Sequence, residues 1–230
     1  MPTLACDPIL FHDFLPKAVG GGIHALDSNT VKAALVTVVP TMQDNTVLAD
    51  LTQVSAGGGY SSGGVTCTVT APTHVGGIYR LVVTSVPTWT GTGSGFNHRG
   101  LVFYNDTATN KNLIAAVFQS AAGQQTITNV GQSGTTATLT CNGHGFSNGD
   151  VVVIDRAPFP RLNGTFTVAG VTTNTFQITA PVSQTIASQA VTSGKVIRPE
   201  QVTTGAGATY TATPDSTNGV FAIAPRGVNL

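Results

Sequence analysis

The sequence predicts an all-β protein: an antiparallel, jelly-roll-like β-sandwich with a small β-barrel domain inserted before its C-terminal hairpin. Three observations predict it. Apolar residues alternate with a period of two, tight-turn dipeptides separate the alternating stretches, and charge is scarce. Along 135–141 the order TTATLTC puts Ala137, Leu139 and Cys141 on one face and Thr136, Thr138 and Thr140 on the other, the mark of a half-buried strand. Phe166 with Val168, and Phe176 with Ile178, repeat the pattern. Asn142-Gly143, Asn148-Gly149, Asn163-Gly164 and Asn218-Gly219 are the dipeptide best suited to the positive φ of tight turns.

The elements follow in order. Residues 1–22 read as an N-terminal arm, helical for a turn or two after Asp7, where Asp can cap and Pro8 takes the first helical position, until Pro16 and Gly20-Gly21-Gly22 stop it. The first part of the main domain, 23–125, carries strands at 31–39, 65–70, 78–83, 100–104 and 113–118, with a second short helical piece around 42–51. Closely spaced strands near 126–130, 135–141, 150–155, 164–169, 174–179 and 190–197 make up the inserted barrel, 126–198. The segment 199–230 holds strands at 208–213 and 220–224, a hairpin too small to bury its own surface, so it is expected to complete the first sheet system. Inserting a domain at a loop tip costs little.

Composition excludes several functions. The 230 residues include 10 Lys+Arg and 10 Asp+Glu, a net charge of zero, which argues against a basic grip on nucleic acid. Charged residues are 9% of the chain, against ~25% in an ordinary domain. No apolar run approaches the ~20 residues of a membrane span, and MPTLACDPILFHDF is no secretory leader, so a soluble protein without membrane contact is expected. Cys6, Cys67 and Cys141 are far apart and form no CxxC, which predicts free thiols in a reducing cytoplasm, not disulfides or zinc. With a single glutamate, Glu200, and scattered aspartates, acid–base chemistry is short of material.

Each tempting group has a plainer reading. The loop His144–Asp150 could cradle a phosphate, but a strand follows it and not a helix, so a turn is expected in which the imidazole or Asp150 bonds local backbone. Asp150 and Asp155, five apart along a strand, face opposite ways. Gly91–Gly95 reads as a flexible loop. His12, Asp13 and His24 could hold a metal, though an ordinary arm is favoured. Trp89, the sole tryptophan, with Tyr79 and Tyr104 could form a sugar-stacking platform, the basis of a rival reading as a carbohydrate-binding adhesin module; core packing or interface burial is favoured. A hydrolase using His98, with Asp106 and a serine, or His144 ranks last. No catalytic residue, cofactor or metal is therefore assigned, and no enzyme is expected. A chain with few long charged side chains has little to immobilise or desolvate when a face is covered, so its work is expected to be done by surface. Ile9, Leu10, Phe11, Phe14 and Leu15 are the candidate subunit contacts, on an arm ordered only in the assembly and hinged by the glycine run.

Five stretches in sequence, GGGIHALDSNTVKAALVT at 20–37, GYSSGGVTCT at 59–68, TWTGTGSGFNHRGLVFYNDT at 88–107, LIAAVF at 113–118 and TATPDSTNGVFAIA at 211–224, resemble a family of small tailed-bacteriophage virion proteins. Where that family more often has an Ala-Arg pair, this chain has Asn97-His98-Arg99-Gly100, with Arg99 in the place of that arginine. The segment 126–197 is similar to a β-barrel module of phage tail and fibre proteins, with His144, Gly145, Gly149, Asp150, Val151, Asn163, Gly164, Phe166 and Phe176 on its recurrent positions. The resemblance implies a virion structural protein, assembled in the host cytoplasm. The expected role is capsid decoration or cement bridging major capsid subunits, and the expected state a homo-oligomer such as a trimer. The alternative is a neck, collar or tail component carrying fibres.

Overall fold

Antiparallel pairing builds the described residues, of which 42% are strand and 6% helix. The computed structural model describes residues 4–75, 78–85, 88–212 and 221–223; the side chains of 4–5, 71–81, 84–85 and 221–223 lie outside the description. The contacts divide the chain into two units. The insert unit comprises Met1–Cys6, Val39–Gln43 and Phe118–Glu200, and the main unit Asp7–Val38, Asp44–Val117 and Gln201–Leu230. The insertion expected over 126–198 is thus wider, and the expected arm 1–22 is no separate body: the division falls after Cys6.

The main unit is an all-β sandwich. Its larger sheet runs in the order Ile9–Leu10, Leu113–Val117, Gly100–Asn105, Val31–Val36, Val65–Thr66, every neighbour antiparallel. The other layer holds Thr68–Val75, Ile78–Ser85 and Phe221–Ile223 in one sheet, and the pairs Thr88–Thr90 with Thr209–Thr211 and Phe96–His98 with Val202–Thr204. Between them Ala33, Leu35, Leu101 and Phe103 share one apolar cluster with Trp89, Phe96, Val202 and Tyr210. The Gly100–Asn105 strand is buried on both faces; on the second, the Tyr104 hydroxyl donates to the Gly63 carbonyl at 2.6 Å. That turn comes close because its neighbour is glycine. Gly64 has φ +65°, and a Cβ there would overlap the Ala33 carbonyl.

Four local expectations need correction. The helix after Asp7 starts later, as α1 (Phe14–Val19), because Ile9 and Leu10 pair with Ala116 and Ala115 as an edge strand. Pro16 sits in the first turn of α1, where its missing N–H leaves no bond unmade. The helical piece at 42–51 shrinks to a 3-10 turn, Leu48–Asp50, with the Asp50 carboxylate accepting from the Thr46 and Val47 amides at 2.8 and 3.1 Å. Thr209–Thr211 and Phe221–Ile223 do return to the main unit, but to different sheets and not as a hairpin; Asn218-Gly219 lies outside the described residues. Gly91–Gly95 is bound, not loose: its amides at Gly91, Thr92 and Gly95 donate to the carbonyls of Ala208, Gly58 and Thr92.

The insert unit has two four-stranded antiparallel sheets. One runs Gln125–Thr126, Lys195–Ile197, Val151–Asp155, Gly164–Thr167; the other runs Thr175–Thr179, Thr136–Thr140, Asn129–Ser133, Ile186–Ala190. Ala137, Leu139 and Cys141 face inward, as the alternation requires, and pack with Phe146, Val152, Ile154 and Phe176. The expected barrel does not close. The Gly164–Thr167 edge is taken by Gln43, whose side-chain amide receives the Thr165 N–H at 2.8 Å and donates to the Thr165 carbonyl at 3.0 Å, as a neighbouring strand would. Between the two sheets the ladder is reduced to the isolated bridge Ala169–Gln177.

Replacing Gln43 by Ala removes both bonds and is expected to destabilise the insert unit by about 1–3 kcal/mol, read from urea unfolding. Gln43→Glu keeps the acceptor alone and is expected to fall between.

Candidate functional site

Charge comes first, because there is so little of it. In the insert unit Arg198 donates to the Gly145 carbonyl at 3.2 Å, to Asp150 at 3.1 Å and to Glu200 at 3.2 Å. Glu200 also accepts the Ala121 amide at 2.8 Å, and its own amide donates to the Gln119 carbonyl at 2.8 Å, so the two chain segments that enter and leave the insertion are clasped together. Burial works against ionising Glu200, but the Ala121 N–H and the Arg198 guanidinium outweigh it and hold the carboxyl below its ordinary value. In the main unit Asp106 holds Lys32 at 2.7 Å and Lys111 at 3.5 Å, with Lys32 as the chief cause of its lowered pKa. Sequence reasoning passed over this use of Arg198 and Glu200, although a sole glutamate two residues from an arginine was the available signal.

His24, His98 and His144 serve packing and local backbone bonding. His144 and Asp150 bond local backbone, as the turn reading expected: the Phe146 amide donates to His144 Nδ1 at 2.9 Å and the Ser147 amide to Asp150 at 2.8 Å. With Nδ1 accepting, the ring proton belongs on Nε2, which lies 3.3 Å from the Thr175 carbonyl. His98 is 2% exposed, its ring 4.3 Å from that of Tyr210, and neither nitrogen has a partner. Burial lowers its pKa to about 4. The drawn triad does not form, since Asp106 is engaged by Lys32 and Lys111. The stretch Gly59–Gly63 has G-x-S-x-G spacing, but exposed Ser61 sits in a turn with no helix after it. His24 is buried against Phe14, ring centroids 4.9 Å apart, and its pKa falls to about 4 through burial, with Lys17 adding and Asp13 opposing. Among the described residues no three His, Cys, Asp or Glu gather as metal ligands, His12, Asp13 and His24 included.

Aromatic and apolar candidates are also taken up internally. Trp89 is 3% exposed and Tyr104 0%, so they offer no open stacking face, and the Tyr79 side chain lies outside the described residues. Trp89 stacks on Tyr210 at 5.9 Å between ring centroids, which is core packing. Of the five candidate arm contacts, Ile9, Phe11 and Phe14 are buried in the chain itself and Leu10 is half-buried, because the Leu113–Val117 strand offers them an apolar seat; Leu15 alone is well exposed, at 41%. An ordered seat within the chain corrects the expectation of an arm ordered only in an assembly.

What remains open is a surface. The sheet of Thr175–Thr179, Thr136–Thr140, Asn129–Ser133 and Ile186–Ala190 contains no charged residue in any strand. Its outer face is a hydroxyl and amide field: Thr136 lies opposite Thr179, Thr138 opposite Gln177, Thr140 opposite Thr175. Ala187–Ala190 are all exposed. Such a face can be covered without desolvating an ion.

The buried histidines set a pH dependence. Their folded pKa values lie below the ordinary histidine value, so the neutral rings contribute fully above about pH 6.5 and the contribution fades as pH falls toward 4. For His98 the expected loss is roughly 3 kcal/mol. Urea midpoints between pH 7 and 4 measure it, and His98→Phe is expected to flatten the curve.

Among the described residues no helix is long and apolar enough to cross a membrane. A scan against protein-family models finds no match for the chain, and a search of curated proteins finds none.

Proposed function

We propose that this chain is a structural protein of a bacteriophage virion, a capsid decoration or cement protein that bridges major capsid subunits and acts through covered surface and not through chemistry. The observation that carries this reading is the division of labour among its side chains. The charged clusters around Arg198 and Asp106 tie segments of the chain to each other, while a whole four-stranded sheet presents neutral hydroxyls and amides. Neutral faces suit permanent contacts, since interface cores are poor in charge. The resemblance of the stretches at 20–37, 59–68, 88–107, 113–118 and 211–224 to small tailed-phage virion proteins supports the same reading.

Quantitative mass spectrometry of purified particles tests it. Copies by the hundred are expected for cement; about a dozen or fewer, the count of a symmetric ring, would move the protein to neck or tail. Absence from particles overturns the virion reading.

A further inference from the structure

The two four-stranded sheets of the insert unit have four edges, and three of them are closed or minimal. Thr165 on the Gly164–Thr167 edge has its N–H and carbonyl taken by the Gln43 amide, while its hydroxyl donates to the Pro40 carbonyl at 2.6 Å and accepts the Met42 amide at 3.2 Å. On the Thr175–Thr179 edge, Gln177 exchanges both backbone bonds with Ala169, at 2.9 and 2.8 Å. The Gln125–Thr126 edge is two residues long.

The fourth edge, Ile186–Ala190, has the Asn129–Ser133 strand on one side and, among the described residues, no strand on the other. Natural edges are guarded by Lys, Pro, an inward charge, a bulge or a cover. This one has a bulge opposite Gly131, beyond which Gln189 and Ala190 pair in regular register with Val130 and Asn129. It has no proline, and no residue from Leu162 through Gly194 is charged. A bare, neutral row of backbone donors and acceptors is a template for another strand.

We propose that the Ile186–Ala190 edge pairs antiparallel with the same edge of a second copy of this chain, joining two four-stranded sheets into one of eight. This names a self-contact within the reading of the chain as an assembling structural protein, and rests on that reading. The second copy is the occupant because the contact is self-complementary. An antiparallel pair of identical strands closes about a twofold axis, each supplying the bonds the other lacks. No residue of the edge strand or of the Asn129–Ser133 strand beside it is charged, the Arg161 guanidinium being engaged by Gln132 at 3.3 Å, and the exposed Ala187, Ser188 and Ala190 are small enough for close approach. The contact yields a pair, in place of the trimer anticipated from sequence.

Sedimentation equilibrium on the full chain tests this without particles, so its failure is separable from failure of the virion reading. The wild-type chain is expected to show a concentration-dependent monomer–dimer equilibrium. The double variant A187K/A190K sets like charges against each other and is expected to weaken the dimer about tenfold or more, with an unchanged unfolding midpoint in dilute solution. Mixing it with A187E/A190E is expected to restore pairing as a heterodimer, which a merely misfolded variant would not do. A wild-type chain that stays monomeric, open-ended polymers, or dimers as tight in A187K/A190K as in wild type would overturn the proposal.

Discussion

The structure depends on one constraint: each strand must find partners for its backbone N–H and C=O groups, and this chain has few ions to help. Where a sheet ends, a neutral group stands in. Gln43 serves the Gly164–Thr167 edge as a one-residue strand, and Ala169 does the same for Gln177. In the main unit glycines let backbone approach backbone, as where Gly64 passes the Ala33 carbonyl. Sheet termination by neutral groups keeps the strands of the Thr175–Thr179, Thr136–Thr140, Asn129–Ser133 and Ile186–Ala190 sheet free of charge, and that neutral sheet carries the functional reading.

Two ion clusters tie distant segments of the chain together. Arg198 and Glu200 close the base of the insertion, fastening Ala121 near its entry to the chain at its exit. Closing the ends of a long excursion has an entropic cost that grows slowly with its length, so a small charged clasp suffices. Lys32, Asp106 and Lys111 play a comparable part beside Asn105, whose side chain donates to the Ile23 carbonyl and to Asn29 and accepts from the amides of Thr107 and Ala108. Both clusters bond the chain to itself.

Buried histidine is the structural risk in this design. His98 has no partner for either ring nitrogen, while His24 has Nδ1 3.5 Å from the Asn105 amide and Nε2 without a partner, and both favour the neutral ring strongly enough to tie stability to pH. They fill space beside Tyr210 and Phe14 as aromatic rings that are also polar. The three cysteines are likewise buried; burial alone pushes the Cys67 thiol up to about 12 and Cys141 to about 11, which keeps them inert.

The sequence alone determined the alternating strands and their faces, but not the short pairings Ile9–Leu10, Phe96–His98 and Val202–Thr204. Alternation at Ala137, Leu139 and Cys141 fixes which side is buried, because a strand's side chains repeat every two residues, and the Asn142-Gly143 turn and the His144–Asp150 loop follow from local backbone chemistry. The closely spaced strands from about 126 led the sequence reading to expect a second domain there. Tertiary structure decided what lies between distant residues. That Gln43 would cap Thr165, that Phe11 and Phe14 would find a seat in their own chain, that Trp89 would stack on Tyr210, and that the barrel would stay open are contacts across long sequence separations. No local pattern encodes them, because a residue's periodicity tells which way it points and not what it will meet there.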